Sequence, residues 1–146
     1  MMPQEIRLVQ SSFDRLEPRA VQVAEMFFGH LFSADPSMST MFGGDLDAQG
    51  RRLMQLIGVA VNLLDKPGQL KPVLQKLGVR LARHGVREVH CDTAGAALLR
   101  TLAEALGDAF DTETCAAWSE AHGIVSRGLI AAGQPVAAER AIATPG

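Results

Sequence analysis

Apolar side chains recur at intervals of three and four along nearly the whole sequence, and Pro, Gly and Asp interrupt the pattern at intervals. That period belongs to helices that bury one face. Residues 4–16 carry Ile6, Val9 and Phe13 on such a face. Pro18 sits where a first helical turn tolerates proline, and a second helix is expected to reach about Phe32 through Val23, Phe27, Phe28 and Leu31. Asp35-Pro36 reads as the cap and first residue of a short helix, and Phe42-Gly43-Gly44-Asp45 as a loop.

A long helix is predicted over 47–64, with Leu53, Leu56, Ile57, Ala60 and Leu64 on its apolar stripe, and Lys66-Pro67-Gly68 ends it. The next helix is predicted over 69–84, with Gly85 as its left-handed cap. Asp92 is placed to cap a further helix, which bears Leu98, Leu99, Leu102 and Leu106 and stops at Gly107. Asp111 or Thr112 opens the last helix, which carries Trp118, Ile124, Val125 and Leu129. That helix is expected to fade after Gly133 and leave residues 134–146 as a frayed tail. No strand is required and no repeat is visible, so the expectation is one all-α domain of about seven helices over residues 1–133.

Composition narrows the function classes. A formal charge of −2 gives no electrostatic reason to expect a nucleic-acid partner or an acidic membrane. No apolar run approaches the roughly 20 residues of a membrane-spanning helix, and no export signal precedes the first helix. The two cysteines, Cys91 and Cys115, fall in different predicted helices, which suits reduced thiols in a cytoplasmic protein. No Ser-His-Asp cluster, CxxC, HExxH or phosphate loop occurs, so no enzyme constellation is visible.

Particular residues add a resemblance to this helical order. Pro36 with Met41-Phe42, the run Gln49-Gly50-Arg51-Arg52-Leu53-Met54, the segment Leu77-Gly78 through His84-Gly85-Val86 to His90, and Leu106-Gly107-Asp108-Ala109-Phe110 with Ala117-Trp118 and Gly123 carry it. Over residues 6–129 the chain resembles the single-domain bacterial haemoglobins and the globin domains of flavohaemoglobins. The resemblance implies a three-on-three globin fold with a b-type haem between a distal and a proximal helix. It also implies that Phe42 wedges against the haem, that Gln49 is the polar distal residue and that Leu53 lies over the bound ligand. Phe28 stands where many bacterial globins place a Tyr, and Arg51 and Arg52 stand near the pocket mouth, where a cation pairs with a propionate.

The sequence departs from the family on the proximal side. Leu81 occupies the position of the proximal His, and the Tyr and Glu that support that His are matched by Cys91 and Gly133. Leucine has no lone pair for iron. His84 lies about 4.5 Å further along the helix and about 60° round from Leu81, close to the same apolar stripe. It is the candidate metal ligand. A modest slide or rotation of the helix would bring it under the iron, and it precedes a helix end where backbone constraint is expected to be loosest. His90 matches a His of the family beside the proximal one and joins the cofactor-binding candidates. His122 is expected to be a core polar residue with one hydrogen bond, and His30 to face outward or into a helix contact.

Two functions follow from different weightings of these residues. The first is a haem globin for dioxygen, nitric oxide or another small diatomic ligand. The sequence contains no flavin- or nicotinamide-binding domain, so nitric oxide dioxygenation would need a separate reductase as partner. The second is a haem-free globin module for sensing or protein interaction, suggested by the joint changes at Leu81, Cys91 and Gly133. Loose haem carriage through Gln49 or His84 is a third.

Overall fold

The computed structural model describes residues 1–42 and 44–143, with side chains as far as Arg140. Among the described residues six α-helices run in order: α1 Pro3–Leu16, α2 Ala20–Ala34, α3 Leu46–Asn62, α4 Pro67–Arg83, α5 Glu88–Leu106 and α6 Thr112–Ala143. Short 3-10 helices at Glu17–Arg19, Pro36–Met41 and Gly107–Ala109 lie in three of the connections between them. There is no strand among the described residues.

The apolar stripes read from the sequence meet in two neighbouring buried clusters. α1 packs on α6 and α3, and α2 packs on α3 and α5. Val9, Phe13, Leu16, Val23, Met54 and Leu102 close around Trp118. The indole needs a partner once it is buried. Its Nε1–H donates to Ser12 Oγ at 2.8 Å, and that hydroxyl donates in turn to the Leu8 carbonyl at 2.6 Å.

α4 lies along α6, and glycines bring the two backbones together. A β-carbon on Gly133 would stand 2.9 Å from Ala82 Cβ and 3.0 Å from the Gly78 carbonyl oxygen. One on Gly78 would run into the Leu129 carbonyl, and Gly128 takes Leu74 against its bare backbone. Leu70, Leu74, Gly78 and Ala82, spaced by four, are the buried face of α4 at this seam.

Three boundaries differ from expectation. The helix before the short third element is preceded by a separate 3-10 turn that holds Pro18. α5 starts at Glu88 instead of being capped by Asp92, because His90 Nδ1 accepts the Arg87 N–H at 2.9 Å and does the capping itself. α6 does not fade after Gly133. It continues through Pro135 to Ala143, and Gly133 itself is buried against α4. Pro135 lacks only one N–H, and the carbonyl left over belongs to exposed Ala131, where water can satisfy it. Residues 144–146 of the expected tail lie outside the described residues, as does Gly43 of the expected loop.

Candidate functional site

One wall of the site is aromatic. Phe28 and Phe32 follow each other by one helical turn on α2, and their rings stack at 5.5 Å with 12° between planes. Asp35 then accepts the Ser37 N–H at 3.1 Å and opens the Pro36–Met41 turn, which returns Phe42 to this pair. The Phe42 ring lies 5.3 Å from Phe28 and 6.0 Å from Phe32, tilted to both. Met41, Phe42 and Leu53 pack on the buried cluster of Phe27, Phe28, Leu31, Met38 and Ala97.

α3 completes this wall. Asp45 caps it by accepting the Asp47 N–H at 3.0 Å. Gly50 lets it approach α2, since a β-carbon there would stand 2.9 Å from Ala24 Cβ. With Gly50, Met54 and Val61 turned into the core, the neighbouring face presents Gln49, Leu53, Leu56 and Ala60. Gln49 and Leu53 are half-buried, and Leu56 is 41% exposed. Arg51 and Arg52 are exposed.

The facing residues of α4 are those next to its buried seam. Val73, Leu77 and Leu81 are half-buried, and His84 continues their stripe at the helix end. α3 and α4 are not a closely packed pair.

The four histidines have separate environments. His30 Nε2 lies 3.1 Å from Glu104 Oε1, a contact from α2 to α5. His90 is buried as the cap of α5. His122 is half-buried, with Nε2 3.1 Å from the Cys91 carbonyl and 3.0 Å from Ser126 Oγ, its ring filling the space beside Gly95. His84 is exposed, and its Nδ1 lies 2.8 Å from the Arg80 carbonyl. A carbonyl only accepts, so that bond calls for the proton on Nδ1, and in the neutral ring the lone pair is then on Nε2.

The end of α4 is fixed, in contrast to the loose end expected from the sequence. The Val86 N–H donates to the Leu81 carbonyl and the Gly85 N–H to the Ala82 carbonyl, both at 3.0 Å. This is the reciprocal pair of a Schellman turn, with Gly85 at φ 86°. Arg140 of α6 donates to the Arg83 carbonyl at 2.9 Å. A slide of α4 is opposed by these bonds and by the glycine seam. Neither Arg140 nor the stacking partner Phe32 was a site candidate in the sequence. Phe32 shares the i, i+4 spacing of Phe28, whereas Arg140 lay in the expected tail.

Leu81, Cys91 and Gly133 line one cavity of about 170 Å³, with Val86, Leu129 and Ile130 among its other apolar walls. Burial pushes the Cys91 thiol up from its ordinary pKa, and Asp92 and Glu88 push it further. It is therefore a neutral thiol and a poor iron ligand.

A family model described as Globin matches residues 25–129. The chain belongs to the globin family. A flavohaemoprotein of Bacillus thuringiensis is 27% identical over 128 residues, which cover 86% of this chain and 31% of the relative. The chain thus spans about a third of the length of the curated relatives it matches. An engineered carbene transferase from Rhodothermus marinus superposes with a TM-score of 0.84 at 23% identity, covering 97% of this globin and 99% of that chain. A bacterial globin from Campylobacter jejuni gives 0.82 at 20% identity, covering 92% and 98%. These likenesses show the fold, and the globin is of the bacterial, flavohaemoglobin-related type.

Proposed function

We propose that this globin binds a b-type haem between α3 and α4 and presents it to dioxygen, nitric oxide or a similar small ligand. The observation that carries the reading is the assembled distal wall. Phe28, Phe32, Phe42 and Leu53 come from three elements and meet on one apolar surface, with Gln49 as the polar group beside it. When bound, the haem supplies an iron that takes the small ligand. The protein supplies everything else. The phenylalanines exclude water from one face, and the Gln49 amide offers a hydrogen bond to a polar diatomic. Exposed Arg52 stands free of the apolar wall, where a guanidinium pairs with a propionate.

The proximal donor in this proposal is His84. Leu81 takes the place of the usual ligand and offers only apolar contact. With Nδ1 on the Arg80 carbonyl, neutral His84 would offer Nε2, much as a backbone carbonyl orients a ligating histidine. Dioxygenation of nitric oxide would draw electrons from a separate reductase.

The test is a haemin titration followed by the Soret band, for wild type and His84→Ala. A saturable band at one haem per chain that His84→Ala shifts or abolishes supports the proposal. A saturable band indifferent to the substitution removes His84 from the iron. No saturable band removes haem and leaves a haem-free sensing or interaction module. That second reading is favoured by one observation, the exposure of His84 at the end of a helix that is held in place.

A further inference from the structure

We infer that Arg140 is a positioning residue for His84, acting through the last turn of α4. The inference rests on the reading of His84 as the iron's donor, and its structural half can be tested without haem. The last four carbonyls of a helix have no partner within it. In α4 each finds one. The Arg80 carbonyl takes the His84 N–H at 3.2 Å and sits 2.8 Å from His84 Nδ1. The Leu81 and Ala82 carbonyls take the N–H groups of Val86 and Gly85. The Arg83 carbonyl has no such neighbour in the turn, and Arg140 reaches it from α6, 57 residues away in sequence, at 2.9 Å.

Arg140 is set for this by the length of α6. The helix runs on past Gly133 because the glycine seam holds it against α4, and Arg140 arrives opposite the C-terminal end of its neighbour. The negative end of a helix dipole favours a cation there. A β-carbon on Gly85 would lie 3.6 Å from Arg140 Nη2, so the guanidinium stands beside the turn that carries the imidazole. The Nδ1–H bond of His84 depends on the Arg80 carbonyl keeping its direction, and that depends on the turn staying closed. Arg140 closes it from outside.

The experiment uses the full chain with ¹⁵N-labelled histidine, in wild type, Arg140→Ala and Arg140→Lys. Ring nitrogen shifts are read without haem above the ordinary imidazole pKa of about 6.5. In wild type His84 is expected as the Nδ1–H form. Arg140→Ala is expected to give mixed tautomers at His84 and amide exchange at Gly85 and Val86 that is roughly five- to tenfold faster. His90 and His122 are expected to keep their shifts. Arg140→Lys, which keeps a cationic donor, is expected to restore the wild-type pattern. With haemin, Arg140→Ala should move the Soret band in the same direction as His84→Ala. An unchanged His84 tautomer in Arg140→Ala overturns the inference whether or not haem binds. Failure of haemin binding in wild type, with the tautomer responding as expected, overturns the haem reading and leaves Arg140 as the residue that orients His84.

Discussion

Gly133 lies directly over Gly78. The 3.0 Å between a would-be β-carbon on the first and the carbonyl oxygen of the second leaves no room for a side chain. Alanine at either position gains up to about 1 kcal/mol of helix propensity but forces a seam in which backbone must move, at about 1–3 kcal/mol. The seam is expected to win. Gly133→Ala should lower stability by roughly 1 kcal/mol and Gly133→Glu by more, read from urea midpoints. Equal or higher stability for Gly133→Glu would show that α4 stands off from α6.

Ser12 and Trp118 join α1 to α6 across the core. Ser12→Ala leaves the buried indole N–H without an acceptor, a loss of about 1–3 kcal/mol. Trp118 is the sole tryptophan, so its fluorescence reports the same event directly. Ser12→Thr, which keeps the hydroxyl, should retain the wild-type emission. Matching emission and midpoint in Ser12→Ala and wild type would count against this bond.

The Cys91 thiol gives a pH prediction. Burial, then Asp92 and Glu88, raise its pKa in the folded state. The folded protein holds that proton more tightly than the unfolded chain. The associated stability is fully present below the ordinary thiol pKa and is lost as pH rises through the raised one. Alkylation of Cys91 by iodoacetamide should be slow at neutral pH and accelerate only in alkali. Asp92→Asn should speed it, as mass spectrometry of the modified peptide would record.

Asp111 works in the opposite range. Its carboxylate accepts the Thr114 N–H at 2.8 Å, and its hydrogen bonds from the Thr114 hydroxyl and then the Thr114 backbone hold its pKa below the ordinary carboxylate value. Its contribution is present above the ordinary carboxylate pKa and is lost as pH falls through the lowered one. Asp111→Asn, which keeps a capping oxygen, should flatten the acid limb of the stability profile. An unchanged limb would mean that the cap gains nothing from its charge.

The helices were legible because their stripes are regular. Val9, Phe13, Val23, Phe28 and Leu102 are buried as their spacing requires, and Gly85 and Gly107 take the positive φ of helix ends. The aromatic wall was legible in part, since Phe28, Phe42 and Leu53 do come together. What the sequence concealed came from contacts between distant segments. The start of α5 is the exception: it is capped locally by His90, three residues from Arg87, and histidine is not among the usual capping residues. Gly133 and Pro135 read as helix breakers because their cost is local, whereas the compensation at Gly133 comes from Gly78 and Ala82 on another helix. The tie from Arg140 to Arg83 depends on both errors being corrected first, since a helix must run on before its last turn can reach anything.

The seam between α4 and α6 also settles which side of the site can yield. α4 is fastened against α6 by bare backbone and at its end by hydrogen bonds from the turn that follows it and from Arg140. It is the fixed side of the candidate site. α3 carries half-buried Gln49 and Leu53 and has Leu56 partly in solvent. Any adjustment to a bound group is therefore expected at α3 before α4.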